Sequence, residues 1–294
     1  MNNGFFRCVV CEHEQVEISS EIWTCPNCGQ SYPMLRGIPI LVKNWEAHEK
    51  SLEEANLDLP HWYSGKQMNL EQSPYKHHLK KRKQYVEGII QAHLKEKGVE
   101  KVDRLLDLGC GDGNHLSYLK RYAKDVYGSD YNLLRLVRAL AGNSDITFYL
   151  ADILDYPAKR NYFDIIFFNH VLEHISEDSL ALREIFRILK PGGLLILGTP
   201  NEGVWWWQLA YKLQPEVRRA TDHVNFYTLK SLKQRTKEQG FEIMTEKWLG
   251  WGVPHWSLDA KLRRYKIVDD LFENLGRMFI PQQASSLYLV ATKK

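Results

Sequence analysis

Short apolar runs alternate with helical stripes along most of the chain. Runs rich in Leu, Val, Ile and Phe predict seven strands, at Arg104–Leu108, Val126–Gly128, Ile146–Leu150, Asp164–Phe168, Leu194–Gly198, Phe241–Lys247 and Ser285–Thr292. Apolar positions three or four residues apart predict the helices between them, at Asn114–Tyr122, Leu133–Ala141, Ser179–Leu189 and Leu229–Gln239. Alternating strands and helices predict an α/β fold, in which a parallel sheet is covered by helices on both faces.

The chain before Gly98 has three segments of different character. Residues 1–43 contain four cysteines, and residues 44–74 are polar enough to predict a linker with one short helix, Glu46–Asn56. A helix is predicted over Tyr75–Lys97, with basic residues from Lys80 to Lys83 opposite its apolar stripe. That basic face is either solvated or a contact for phosphate or anionic lipid.

Composition narrows the function classes. Of 294 residues, 44% are hydrophobic and 26% are charged, which excludes a disordered chain. The net charge of +3 is too small to argue for nucleic acid on its own. No uncharged apolar run approaches the ~18 residues of a spanning helix, and the first residues lack an apolar core of signal-peptide length. We therefore expect a cytoplasmic protein.

Four of the five cysteines form two closely spaced pairs. Cys8, Cys11, Cys25 and Cys28 follow the pattern C-x2-C-x13-C-x2-C, which is typical of a four-thiolate zinc site. Such a site has no open coordination position, so its role is structural. The alternatives are unrelated thiols or a redox pair, and no thioredoxin-like βαβ pattern surrounds either pair.

With these cysteines, the following segment QSYPMLRGIPILV (residues 30–42) resembles the small zinc ribbons of the Trm112-like and UPF0434-like type. The resemblance implies a module that binds partner proteins or extends the surface of a catalytic domain. A ribbon joined through a linker is expected to unfold without its metal, while the rest of the chain still binds its ligand.

A glycine-rich loop, LLDLGCGDG (residues 105–113), joins the first predicted strand after Gly98 to a helix. The dinucleotide fingerprint requires a sixth-position glycine, where this chain has Asn114, and no P-loop Gly-Lys-Ser/Thr is present. The carboxylate of Asp107, just before the loop, would repel a pyrophosphate and suits a cationic ligand.

This loop, together with YGSD ending at Asp130, LAD ending at Asp152, FDIIFFNHVLEH and REIFRILKPGGLLILGTPN, resembles class I S-adenosylmethionine-dependent methyltransferases of the type 11, UbiG-like kind. The resemblance covers residues 75–294. It implies a Rossmann-like, seven-stranded sheet with helices on both faces, and insertions at about residues 201–222 and 250–281.

The resemblance also implies roles for residues at the strand ends. Asp107 and the loop of Gly109, Cys110 and Gly111 would hold the amino-acid end of the cofactor. Asp130 would accept both ribose hydroxyls, because a carboxylate can take two charge-assisted hydrogen bonds. Each acid alone could instead cap a helix or end a solvated loop.

The adenine end of the cofactor would involve the next two strand ends. Tyr131 would pack on the adenine, Asp152 would accept its amino group, and the amide of Ile153 would meet a ring nitrogen. Asn169 would lie near the methyl donor.

Three histidines are candidates for acid–base chemistry: His170, His174 and His223. The segment around His223, TDHVNFYT, resembles family members that methylate hydroxyls on sugars, quinone precursors or lipid-linked acceptors. His174 could equally be structural, tying its loop to a carboxylate. None of the three is needed if the acceptor is already a good nucleophile.

The two insertions are rich in aromatic residues. The first contains GVWWWQLAYKL, and the second contains Trp251, Trp256 and a basic run from Lys261 to Lys266. They suggest a large apolar acceptor site with basic edges, compatible with peripheral membrane contact. The alternative for the first insertion is a buried lid helix.

The sequence therefore predicts a methyltransferase that uses S-adenosylmethionine and carries structural Zn²⁺. The expected reaction is O-methylation of a glycan, a lipid-linked or a quinone-like small molecule. One alternative is an rRNA or tRNA base methyltransferase, which the basic helix supports and the low net charge opposes. The other is a non-catalytic zinc-ribbon interaction protein, against which the three intact acids argue.

Overall fold

Two sheets organise the protein. The computed structural model describes residues 3–58, 63–68, 70–213, 215, 222–253 and 255–294. The small antiparallel sheet contains β1 (Glu17–Ile18), β2 (Ile22–Thr24), β3 (Ser31–Leu35) and β4 (Ile38–Pro39). The large sheet contains β5 (Val102–Leu108), β6 (Ala123–Asp130), β7 (Thr147–Leu150), β8 (Phe163–Asn169), β9 (Leu189–Pro200), β10 (Phe241–Leu249) and β11 (Ser286–Lys293).

Helices flank the large sheet and cover its carboxyl edge. They are α1 (Trp45–Asp58), α2 (Lys76–Lys97), α3 (Leu116–Leu119), α4 (Leu133–Gly142), α5 (Asp178–Ile188), α6 (Trp205–Leu213), α7 (Leu229–Glu238), α8 (Trp256–Arg263) and α9 (Lys266–Phe279). The expected helix Asn114–Tyr122 is only one turn long, in α3. None of the described helices is long and apolar enough to cross a membrane.

The large sheet confirms the α/β prediction but is not wholly parallel. Its strand order is β10-β11-β9-β8-β5-β6-β7, and β11 runs antiparallel to both of its neighbours. The reason lies in the connection between β10 and β11. Leu249 pairs with Ser286, and the Ser285 amide donates to the Gly250 carbonyl at 2.7 Å. The insertion that carries α8 and α9 thus begins and ends at one edge, and β11 must return in the opposite direction.

The central strand β8 shows why the sheet needs helices on both faces. Ile165, Ile166, Phe167 and Phe168 are each at most 1% exposed. Ile166 and Phe168 belong to one hydrophobic cluster, whereas Ile165 and Phe167 belong to the other. This division follows from the two-residue period of a strand, and it confirms the layered arrangement that the continuous apolar run predicts.

The N-terminal four-cysteine module shares its core with the edge of the large sheet. Phe5 is fully buried, and its ring stacks on Tyr149 of β7 at 4.3 Å and meets the edge of Tyr127 at 5.6 Å. Ile40 forms a parallel bridge with Leu150, and the Leu41 amide donates a hydrogen bond of 2.9 Å to the Leu150 carbonyl. The module is therefore an extension of the β7 edge.

The predicted linker also contacts the large sheet. In α1, His48 is 7% exposed, and its Nε2 lies 2.9 Å from the Tyr131 carbonyl. The Gln67 amide donates to Asp112, and Gln67 Oε1 accepts from the Asp112 amide, at 2.8 and 3.1 Å. The described part of this segment lies over the carboxyl edge of β5 and β6.

Substitution of Phe5 by Ala tests whether module and sheet unfold together. We expect a loss of about 3–5 kcal/mol in the free energy of unfolding, because a fully buried aromatic ring leaves a cavity. Urea unfolding, followed by far-ultraviolet circular dichroism and tryptophan fluorescence, should show one transition at lower urea. Ile18→Ala, at a side chain that is 47% exposed in the same module, should change little. A separate early transition, with the main one unmoved, would contradict a shared core.

Candidate functional site

Polar side chains collect where the parallel strands end. Asp107 lies in β5, Asp130 ends β6, Asp152 follows β7, and Asn169 ends β8. Because neighbouring parallel strands place their carboxyl ends at the same edge of the sheet, these four residues face one region.

A cavity of about 380 Å³, here named the strand-edge cavity, opens at this edge. Five of the nine predicted cofactor residues line it: Gly109, Asp130, Tyr131, Asp152 and Ile153. Phe168 and Val171 add apolar walls, and His174 lies at its border. The other four predicted cofactor residues, Asp107, Cys110, Gly111 and Asn169, are not among its lining residues.

Asp107 is a buried acid with one carboxylate oxygen that is unpaired among the described residues. It is 2% exposed, and its Oδ2 accepts no hydrogen bond from any described residue. Burial, reinforced by the charge of Asp130, raises its pKa well above the usual range. A cationic group nearby would stabilise the carboxylate and lower that pKa again. The residue therefore fits the ammonium group that the resemblance implies.

The glycine loop is held close to the strand ends. Gly109 has φ +74°, and a Cβ there would lie 2.3 Å from the Val171 side chain, so no other residue fits without displacement. The amides of Gly109 and Cys110 both donate to the Ser129 carbonyl, at 2.8 and 3.0 Å. Cys110 is 4% exposed and belongs to a hydrophobic cluster.

Asp130 links the loop to β6. Its Oδ2 accepts from the Gly111 amide at 2.8 Å, and its Oδ1 accepts from the Asn132 amide at 2.9 Å. Burial raises its pKa, although Arg135 and these amides oppose the shift. Asn132, not Asp130, caps α4. Each carboxylate oxygen has a further lone pair for a ligand hydroxyl.

Asp152 and Tyr131 bound the far end of the strand-edge cavity. Asp152 Oδ1 accepts from the Leu154 amide at 2.9 Å and caps a short 3₁₀ helix, so the capping role foreseen for such acids applies here. Tyr131 is 40% exposed, and its ring centroid lies 4.0 Å from that of His48. The sequence did not predict a role for His48, because nothing in this polar segment indicates that α1 packs over the end of β6.

A second cavity, about 660 Å³ and here named the tryptophan cavity, lies beside the first. It is lined by aromatic residues of α6, by two of the three predicted histidines, and by residues of the second insertion. Its lining residues include Trp206, Trp207, Tyr211, His170, His223 and Arg263. The side chain of Trp256 and residues 214 and 216–221 of the first insertion lie outside the described part.

The three histidines lie between the two cavities. His174 borders the strand-edge cavity, whereas His170 and His223 border the tryptophan cavity. The rings of His174 and His223 are 5.0 Å apart, edge to face. His174 Nδ1 lies 3.0 Å from Asp222 Oδ1. The backbone around His223 is fixed, because the amides of Val224 and Asn225 both donate to the Glu173 carbonyl, at 2.9 and 3.0 Å.

The surroundings shift the pKa values of these histidines in different directions. Burial lowers the pKa of His223 and of His170, and Arg82 adds to the effect on His170. For His174 burial acts in the same direction, but the hydrogen bond to Asp222 and the charge of Glu173 outweigh it and raise its pKa. His223 is therefore suited to accept a proton near neutral pH.

Glu173 is the buried acid at the centre of this group. It is 1% exposed, and its carboxylate oxygens accept no hydrogen bond from the described residues, although His170 Nδ1 lies 3.3 Å from Oε1. Ligand atoms of Glu173, His174 and His223 lie within 4.8 Å of one another, a spacing that a divalent ion could also bridge.

Arg82 is a second residue that the sequence did not single out. Its Nε donates to the Tyr288 hydroxyl at 2.9 Å, and its guanidinium also reaches Asn169 Oδ1 at 3.3 Å. Lys81 is likewise turned inward, with its Nζ 2.6 Å from Asp269. The basic face of α2 is therefore not one solvated surface, because two of its cations are used inside the fold.

The four cysteines converge as their spacing predicts. Cys8 Sγ lies 3.7 Å from Cys28 Sγ, Cys11 Sγ lies 3.5 Å from Cys25 Sγ, and all four sulfurs are within 4.8 Å of one another. A tetrahedral zinc ion with Zn–S distances of about 2.3 Å separates its sulfurs by about 3.8 Å. The arrangement thus fits a four-thiolate site.

Comparison with known proteins agrees with this geometry. The profile of a methyltransferase domain family matches residues 75–246. A ubiquinone/menaquinone biosynthesis C-methyltransferase of Neisseria meningitidis is 30% identical over 179 residues, covering 52% of this chain and 71% of that protein. A ubiquinone biosynthesis O-methyltransferase of Cereibacter sphaeroides is 32% identical over 102 residues, covering 33% of this chain and 41% of that protein.

Structural similarity supports the fold. The crystal structure of the MccD protein superposes with a TM-score of 0.50 at 20% sequence identity, covering 70% of this chain and 96% of that one. The first curated relatives are matched over only 24–40% of their own length. Each of these relatives matches 32–35% of this chain.

Proposed function

The chain belongs to the methyltransferase domain family, and on this premise we propose that it transfers a methyl group from S-adenosylmethionine to a hydroxyl oxygen. The proposed acceptor is a glycan, a lipid-linked or a quinone-like small molecule. One observation carries the proposal: three histidines lie where a cavity edged by acids meets a cavity walled by tryptophans.

The strand-edge cavity is the proposed site of the methyl donor. S-adenosylmethionine, when bound, supplies a methyl group on a positively charged sulfur. Asp107 would hold the ammonium, Asp130 the ribose hydroxyls, and Asp152 the adenine amino group, with Tyr131 against the ring. The unpartnered Oδ2 of Asp107 supports this assignment, because a buried acid needs a cation or a donor to offset its desolvation.

The tryptophan cavity is the proposed site of the acceptor. Trp206, Trp207 and Tyr211 give it apolar walls, and Arg82 adds positive charge. His223 would take the proton that the acceptor hydroxyl loses as its oxygen bonds to the methyl carbon. The electron pair of the broken carbon–sulfur bond stays on the sulfur. His174, held by Asp222, would position the junction between the two cavities.

Two alternatives receive less support. A base methyltransferase acting on RNA would use a basic surface, yet Lys81 and Arg82 are committed inside the fold. A non-catalytic interaction protein would not need three acids at successive strand ends. A cytoplasmic location with peripheral membrane contact, which would give an apolar acceptor access to the cavity, remains part of the proposal.

We also propose that Cys8, Cys11, Cys25 and Cys28 hold one structural Zn²⁺, in a ribbon spanning residues 1–43. The catalytic domain is proposed to span residues 75–294. Because α1 places His48 against Tyr131, the segment between the ribbon and the catalytic domain would cover the donor site as well as connect the two.

Asp130→Asn tests the donor site. The substitution removes the negative charge but keeps the side-chain shape, so we expect S-adenosylmethionine affinity to fall by about 10- to 150-fold, or about 1.5–3 kcal/mol. Isothermal titration calorimetry measures the change. Asp145→Asn, at an exposed acid that pairs with Lys120, is the control and should bind normally. Unchanged affinity of the Asp130 variant would refute the assignment.

His223→Gln tests the acceptor side. We expect kcat to fall by about 10²–10⁴, with donor affinity unchanged. In the wild-type protein, the rate should rise with pH through a pKa below the usual ~6.5 of histidine, since burial lowers the pKa of His223 and only the neutral ring accepts a proton.

The readout is S-adenosylhomocysteine release with hydroxylated quinone precursors and lipid-linked sugars. His77→Gln on α2 is the matched control and should retain the wild-type rate and pH profile. If the His223 variant retains both as well, another group takes the proton, or none is needed.

Elemental analysis tests the zinc site. Purified protein should contain one zinc per chain, and Cys11→Ser should lower that content and shift the thermal midpoint of the whole chain downward. Cys110→Ser, which changes a cysteine outside the ribbon, should leave the zinc content unchanged. If protein expressed in zinc-replete medium contains no zinc after purification, the proposed site is wrong.

A further inference from the structure

The second insertion carries an apolar surface that nothing in the described chain covers. On α9, Ile267, Leu271, Leu275 and Met278 are 84%, 51%, 45% and 72% exposed. Their spacing of four, four and three residues places them on one side of the helix. A 14-residue helix is about 21 Å long, so this side is an extended apolar strip, here named the α9 face.

The exposed strip is not the result of a loosely attached helix. On the opposite side, Asp269 is 1% exposed, and it pairs with Lys81 Nζ at 2.6 Å and with Arg263 Nε at 2.8 Å. Gly276 is also buried, and a Cβ there would lie 2.0 Å from the Trp251 ring. Two buried ion pairs and a tight ring contact thus fix which side of α9 faces outward.

The exposed charge in this part of the chain is mainly positive. Within residues 255–283, the exposed charged side chains are Lys261, Arg264, Lys266 and Arg277. The acids of the same segment are buried or half-buried, and three of them are paired with cations: Asp259, Asp269 and Asp270. Asp270 pairs with Lys266 as well as with Lys81, which leaves Lys261, Arg264 and Arg277 as the exposed cations that none of these acids neutralises. An apolar strip edged by cations complements an anionic lipid surface.

The α9 face continues to the tryptophan cavity. Phe279 and Ile280, at the end of α9, are 70% and 49% exposed. The Trp205 amide donates to Gln283 Oε1 at 2.9 Å, which places the start of α6 beside the end of α9. Trp205 is itself 61% exposed, whereas the next two tryptophans line the cavity.

We propose that the α9 face docks on an anionic membrane surface, with α9 lying in the plane of the interface. The proposal rests on the proposed function in one respect: an acceptor with an apolar tail could then pass from the bilayer into the tryptophan cavity without crossing water. The occupant is a lipid surface and not a second copy, since the cations around the strip would repel their own counterparts across a symmetric dimer.

Vesicle flotation tests the proposal with the full zinc-loaded chain. Wild-type protein should float with vesicles of phosphatidylcholine and phosphatidylglycerol, and less with phosphatidylcholine alone. The double variant Ile267→Gln/Met278→Gln should bind at least tenfold more weakly, because two exposed apolar side chains lose their burial. Met244→Gln, at a methionine that is 49% exposed on β10, is the matched control and should float as wild type does.

The outcomes separate this proposal from the proposed function. All three proteins should bind S-adenosylmethionine equally, since none of the substituted residues lines the strand-edge cavity. Absence of wild-type flotation, or equal flotation of the double variant, would overturn the membrane proposal and leave methyl transfer to a short-chain acceptor intact. A wild-type dimer that the double variant converts to monomer would assign the α9 face to a second copy and overturn it too.

Discussion

The parallel alignment of β5, β6, β7 and β8 is the constraint on which the rest of the structure depends. Parallel strands that run side by side end at one edge, and the residues at their carboxyl ends must therefore share a small region. In this chain those residues are largely acids, and the buried Oδ2 of Asp107 accepts no hydrogen bond from the described residues. The free-energy cost of burying that carboxylate is offset when a cation neutralises it. This buried acid alone therefore favours a positively charged ligand at the edge of the sheet.

Three chain segments outside the large sheet reinforce this edge. The four-cysteine module extends the β7 side through Phe5, and α1 brings His48 onto Tyr131. The second insertion leaves and rejoins the sheet at the carboxyl edge, between Leu249 and Ser286. The antiparallel direction of β11 and the positions of the tryptophan cavity and the α9 face thus depend on where this insertion joins the sheet.

Local features of the sequence were sufficient to predict most of the sheet. The run of Ile165 to Phe168 is continuously apolar because both faces of its strand are covered. The spacing of the cysteines likewise predicts that four sulfurs converge. The direction of β11 was not predictable, because its apolar pattern is the same in either orientation. The roles of His48 and Arg82 depend on contacts over 80 residues or more, 48 to 131 and 82 to 169, and no local pattern marks such contacts.

The central claim is that the donor lies in the strand-edge cavity, with its reacting sulfur at the histidine junction. A crystal structure with S-adenosylhomocysteine tests this most directly. The account predicts the ammonium beside Asp107, the ribose on Asp130, the adenine beside Asp152, and the sulfur between His174 and the tryptophan cavity. A ligand lying wholly within the tryptophan cavity, or one whose ribose leaves Asp130 uncontacted, would contradict it.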